Sequence, residues 1–178
     1  MSDQSTTDAP AQAQLRLERI YLKDASFESP RSPAVFNEAW QPEFALDINT
    51  RTARLDDQRF EVVLCATLKA SGPEDKTAYI VEVQQAGIFA LANVPEARLQ
   101  QVLGTICPAT LFPYVREAVD SLAVKGGFPA AHLAPVNFDA LFAEAVRQRA
   151  AAGANTYAAT AAEAEEALRR MEAANARS

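Results

Sequence analysis

Histidine is almost missing from this sequence, with one, His132, in 178 residues. Cysteine is nearly as scarce: Cys65 and Cys107 stand far apart, and neither has a second cysteine nearby. Zinc knuckles, disulfide frameworks and most proton-transfer sites need more of these side chains than the chain owns. Both thiols are expected to be reduced and buried. Basic charge is also in deficit, with 17 Lys and Arg against 23 Asp and Glu and a net charge of −6. Phosphate backbones need a basic footprint and anionic lipids attract positive charge, so the balance argues against nucleic acid and against a membrane surface. No apolar run approaches the roughly 20 residues that cross a bilayer, so no membrane insertion is expected. The opening MSDQSTTDAPAQAQ has neither the positive nor the apolar region of a secretory leader, and the expected location is cytoplasmic.

Motifs of chemistry are missing too. There is no P-loop, GxGxxG, nucleophile elbow or EF-hand. Cys107, beside Pro108 at the entry to a helix, and His132, in a proline-rich loop, are the pair that a small cysteine-dependent enzyme would have to use. The sequence advertises no partner for either. No catalytic residue, metal ligand or cofactor is therefore expected.

What is present is a globular composition, 49% hydrophobic and 22% charged, long enough for one domain with a core and two tails. Residues 1–13 lack large apolar groups and read as a disordered tail. From Leu15 to Glu28 the pattern has period two, with Asp24, Ser26 and Glu28 on one face and Ala25 and Phe27 on the other. Prolines 30, 33 and 42 frame a loop that nonetheless carries Val35, Phe36 and Trp40. Strands are expected over 44–49, 60–70 and 77–91, the last with Tyr79, Val81 and Val83 opposite Ile80, Glu82 and Gln84, and a bulge or bend at Gly87. A short helix over 96–104 follows.

The chain is organised around the stretch 106–125, ICPATLFPYVREAVDSLAVK. Phe112, Val115, Val119 and Leu122 form an apolar seam at helical spacing, Pro113 suits a first turn, and Gly126 and Gly127 supply the stop. Such a seam fits an ordinary core helix, or a helix between a sheet and a symmetry mate. Asn137 caps a last helix with Phe138, Leu141, Phe142 and Ala145 inside and Gly153 ending it. The Ala-rich remainder, 153–178, reads as a helical or mobile tail. Strands first and helices after predict an α+β fold.

Six strings occur in order: YLKDASFE at 21–28, AWQPEFALDI at 39–48, FEVVLCATL at 60–68, VEVQQAGIF at 81–89, CPATLFPYVRE at 107–117 and GGFPAAHLAPVNFDALF at 126–142. Together they resemble the SecB family of bacterial protein-export chaperones, over nearly all of residues 19–142. The resemblance implies a SecB-like domain over 14–152: a four-stranded antiparallel sheet with helices on one face, assembled as a dimer of dimers. Phe112, Val115, Val119 and Leu122 would then meet a partner. It implies binding of unfolded precursor proteins and their delivery to the SecA motor, without catalysis. Positions matching the family's client groove are Trp40, Phe44, Leu46, Ile48, Leu141 and Phe142. Leu46, Ile48 and Leu141 read equally well as core, while Trp40 and Phe142 read better as two sides of a cleft. Asp24, Glu28, Ile80 and Glu82 match the acidic surface that meets SecA's basic zinc-binding C-terminal tail. A SecB-like fold guarding an antitoxin is the alternative within the resemblance.

Overall fold

The computed structural model describes residues 12–152. The expected tails at 1–13 and 153–178, with the stop at Gly153, lie outside the described residues except for positions 12 and 13. The elements run β1 (Gln14–Glu28), a 3-10 turn (Ala34–Asn37), β2 (Glu43–Arg54), β3 (Arg59–Ser71), a second 3-10 turn (Pro73–Asp75), β4 (Thr77–Ala92), α1 (Glu96–Gly104) and α2 (Ile106–Lys125). Residues 138–152 are helical. Two compact units divide the chain, Met1–Phe138 and Asp139–Ser178. The architecture is the expected α+β arrangement.

The sheet is antiparallel throughout, in the order β1-β4-β3-β2, which leaves β1 and β2 as edges. Alternation decides its two faces. Val62, Leu64, Ala66 and Leu68 of β3 and Tyr79, Val81, Val83 and Phe89 of β4 are buried on the inner face, in one core with α2. Period two holds for β3 and β4 but not for all of β1. There Leu17 pairs with Phe89 and Arg19 with Ile88, leaving Glu18 extra, and the same happens between Leu22 and Asp24, leaving Lys23 extra. Two bulges thus keep Leu17, Ile20 and Phe27 on the inner face although their spacing is not even.

Gly87 is not the bend expected of it. It pairs regularly with Ile20 and Val62, and a Cβ there would sit 2.9 Å from Leu111 of α2 and 2.8 Å from the Phe89 ring. The residue is small so that α2 can approach the sheet.

Helix α2 begins at Ile106, so Pro108 occupies the first turn and Pro113 lies in the interior, later in the helix than its expected first-turn place. Leu111, Val115, Val119 and Ala123 are fully buried against the sheet. Each large one stabilises the fold by about 1.5–3 kcal/mol through removal from water. Of the seam expected to meet a partner, Val115 and Val119 are buried in the chain's own core, Phe112 is buried edge-on against Phe138, and Leu122 packs on the core's margin. The large apolar residues that α2 leaves exposed are Ile106, Tyr114 and Val124.

The stop is a Schellman motif. Gly127 has φ +87°, Phe128 N–H donates to Ala123 O at 3.0 Å, and Gly127 N–H donates to Val124 O at 3.0 Å. Gly126 has its own reason to lack a side chain, since a Cβ there would lie 2.1 Å from the Phe27 ring. The motif turns the chain so that Phe128 points into the core.

Candidate functional site

Two surfaces, on opposite faces of the sheet, collect the residues expected to function. On the inner side, at the end where β4 begins, five rings pack together. Phe128 lies 4.8 Å from Tyr79, 5.1 Å from Trp40 and 5.2 Å from Phe36 between centroids, and Phe27 stacks on Tyr79 at 5.7 Å. Trp40 lies over Tyr79 at 6.1 Å with only 15° between planes. Aromatic pairs in such offset arrangements contribute about 0.5–1.5 kcal/mol beyond their burial. Each ring reaches the cluster by a different route. Phe27 comes from β1 and Tyr79 from β4, Phe36 and Trp40 from the proline-framed loop, and Phe128 from the turn after α2.

From this cluster an apolar shelf continues along β2. Phe44, Leu46 and Ile48 pair with Ala70, Leu68 and Ala66, so they share the inner face. Because α2 rests mainly on β4 and β3, the edge strand is incompletely covered. Phe44 stays 44% exposed, and Leu46 and Ile48 are half-buried against the core. The structure thus brings Trp40, Phe44, Leu46 and Ile48 into one strip. Leu141 and Phe142 fall among the helical residues of the second unit.

Tyr79 and Phe128 were not among the expected groove residues. Tyr79 reads as an inner strand position, and nothing in the period of β4 separates it from Val81. Phe128 was legible only as a loop residue after two glycines. Its direction follows from the left-handed Gly127, together with Asp120 of α2, whose Oδ1 accepts the N–H groups of Ala131 at 2.9 Å and His132 at 3.0 Å. That clamp ties the following loop to the helix.

Within the cluster Tyr79 is 0% exposed, and among the described residues its hydroxyl has no hydrogen-bond partner. Burial first, and the Asp120 charge second, push its pKa up to about 12, so the hydroxyl stays neutral. A buried polar group left in this condition costs about 1–3 kcal/mol.

The outer face is chemically the reverse. Asp24, Ser26 and Glu28 pair with Gln84, Glu82 and Ile80, so Asp24, Glu28, Ile80 and Glu82 stand on one face as immediate and diagonal neighbours. In the next strands Glu82 pairs with Thr67 and Thr67 with Asp47, which puts a fourth acid on the same row. The sequence reading missed Asp47, although its alternation with Leu46 and Ile48 already turned it outward. Among the described residues none of these four acids makes an ion pair, whereas Glu61, farther along the face, binds Lys23 at 2.9 Å and the Tyr21 hydroxyl.

Cysteine chemistry finds no support in this arrangement. Cys107 is fully buried and burial pushes its thiol up to about 12, the opposite of an activated nucleophile. The His132 side chain is 81% exposed, beside Asp120. Cys65 departs from its expected burial: it is half-buried on the outer face, between Asn49 and Gln84. No helix among the described residues is long and apolar enough to cross a membrane.

Similarity to known proteins extends over most of the chain. Residues 8–149 match the family described as preprotein translocase subunit SecB. A protein-export protein SecB from Hahella chejuensis is 53% identical over 144 residues, covering 81% of this chain and 90% of the relative. One from Pseudomonas paraeruginosa is 49% identical over 155 residues, covering 86% and 95%. A solved SecB-like chaperone from Mycobacterium tuberculosis, in complex with an antitoxin peptide, has a TM-score of 0.58 at 18% identity. It covers 69% of this chain and 91% of its own, a likeness of fold.

Proposed function

This chain belongs to the SecB family, and from that premise we propose that it works as a protein-export chaperone through the two faces of its sheet. The inner strip of Trp40, Phe44, Leu46 and Ile48 binds unfolded precursor proteins. Leu141 and Phe142 offer further apolar contacts from the second unit. The outer acids Asp24, Glu28 and Glu82, with Ile80 among them, receive the basic tail of SecA. The protein is a cytoplasmic homotetramer, a dimer of dimers, and catalyses nothing.

The observation that carries this reading is the separation of chemistries. One sheet presents incompletely covered apolar side chains on one side and unpaired carboxylates on the other. Burial is non-directional, so an apolar shelf accepts many sequences, at about 25 cal/mol per Å² removed from water. Repeated on four protomers, it gains by avidity without a close fit at any one site. Handing over requires that the motor engage a surface the client does not occupy, and the opposite face supplies one. An exposed ion pair contributes only about 0.2–1 kcal/mol, so several acids and an isoleucine must act together.

Replacing Glu82 with Lys tests this division. By calorimetry the affinity for SecA should fall at least about tenfold, while suppression of aggregation of an unfolded client stays unchanged. Undiminished SecA affinity would refute the assignment of that face. The antitoxin-bound relative supports a second reading in which the client is an antitoxin. The unpaired acidic row favours export, because a guardian of an antitoxin needs no motor surface.

A further inference from the structure

Tyr79 is the point in the aromatic cluster where polarity is unaccounted for. Its ring is enclosed by Phe27, Trp40 and Phe128, it is 0% exposed, and its hydroxyl lacks a hydrogen-bond partner among the described residues. Phenylalanine would fill the same space without that cost. The neighbouring acid, Asp120, does not hydrogen-bond to the hydroxyl; its Oδ1 takes two backbone N–H groups in the loop after α2. The ring that covers Tyr79 belongs to neither the sheet nor a helix. Trp40 stacks on it from the loop between β1 and β2 and is itself partly exposed.

We propose that the Tyr79 hydroxyl is a backbone-reading group for clients: a large apolar client side chain takes the place of the Trp40 ring, and a peptide group flanking that side chain hydrogen-bonds to Tyr79 Oη. This deepens the client-binding reading above and rests on it. The ligand class is an extended polypeptide carrying an aromatic or large aliphatic side chain beside a free peptide group. A tyrosine hydroxyl both donates and accepts, so either half of the peptide group satisfies it, whatever the sequence. Helical segments are excluded because their peptide N–H and C=O groups are bonded internally. The selection is therefore for unfolded backbone as much as for apolar side chains. Burial, which keeps the hydroxyl neutral up to about 12, preserves both capacities at any physiological pH.

The test is a double-mutant cycle using the full-length protein, its Tyr79→Phe variant, and two synthetic peptides. One is an extended peptide with a single tryptophan; the other has the amides flanking that tryptophan replaced by esters, which removes the N–H and weakens the carbonyl acceptor. Titration calorimetry should show the unaltered protein preferring the amide peptide by about 3- to 10-fold. The Tyr79→Phe variant should bind the two alike and melt at a higher temperature when free. If the variant keeps the amide preference, the proposal is overturned; a variant that also melts lower would mean that the hydroxyl is satisfied within the fold. Binding of both peptides by the unaltered protein without preference overturns it as well. Failure of the unaltered protein to bind either peptide would instead strike at the client-binding reading itself.

Discussion

Glu61 shows how a single carboxylate on the outer face is held by its neighbours. The Tyr21 hydroxyl, then the Lys23 ammonium, keep its carboxyl below the usual range. A carboxylate depressed in the folded state adds stability that is present above its ordinary value near 4.5 and disappears as the pH falls through the lowered value. A melting-temperature profile against pH should therefore be flatter on the acid side for Glu61→Gln than for the unaltered protein. Equal acid slopes would show that the contact contributes nothing. None of this was legible in the chain's linear order, because it is the bulge at Glu18 that turns Tyr21 away from the face of Leu17 and onto the face of Glu61. Elsewhere single residues were readable in type and not in reason. Gly87 and Gly126 were marked as special from sequence, yet what demands them is the approach of Leu111 and of the Phe27 ring.

Among the elements, α2 was the most legible and its partner the least. Its span from Ile106 to Lys125 and its apolar spacing follow from residues within four positions of each other. Which surface the stripe meets is a tertiary question: Val115 and Val119 are buried in the chain's own core and Phe112 packs against Phe138. Two substitutions on this helix should separate packing from association. Leu111→Ala removes a fully buried side chain and should cost about 2–5 kcal/mol in denaturant titration. Val124→Lys changes a residue 58% exposed and should alter stability by less than about 0.5 kcal/mol while weakening assembly. A lysine at 124 that leaves the oligomer intact would place the association elsewhere than on this end of the helix. The strands divide in the same way: β3 and β4 were readable almost to their ends, whereas β2 continues to Arg54 through polar residues that alternate with no apolar signal.

At the scale of the molecule, the proposed function makes the sheet a partition between two partners of different chemistry. On that proposal a client covering the inner strip leaves the acidic row open, so both are held at once. Light scattering of the full-length protein should give a mass near four times the 19.2 kDa chain and a further increment, without dissociation, on addition of an unfolded precursor. A mass of one chain, unmoved by the precursor, would contradict both the assembly and the client surface. The shelf on β2 and the acids on β1 and β4 belong to one rigid sheet. Loss of either surface should then leave the other intact, as the Glu82→Lys comparison requires.

Periodicity, caps and breakers are local, and local chemistry was enough to specify the α+β class, the four strands, both helices and the side of β4 on which each residue lies. Family resemblance is the ground on which the acids and the groove are proposed at named positions. The tertiary structure alone decided the bulges of β1, the burial of the α2 seam and the gathering of Phe27, Phe36, Trp40, Tyr79 and Phe128 around one buried hydroxyl. Those features depend on residues as much as about 100 positions apart coming within van der Waals reach, and no short-range pattern in a chain encodes which distant surface will arrive there.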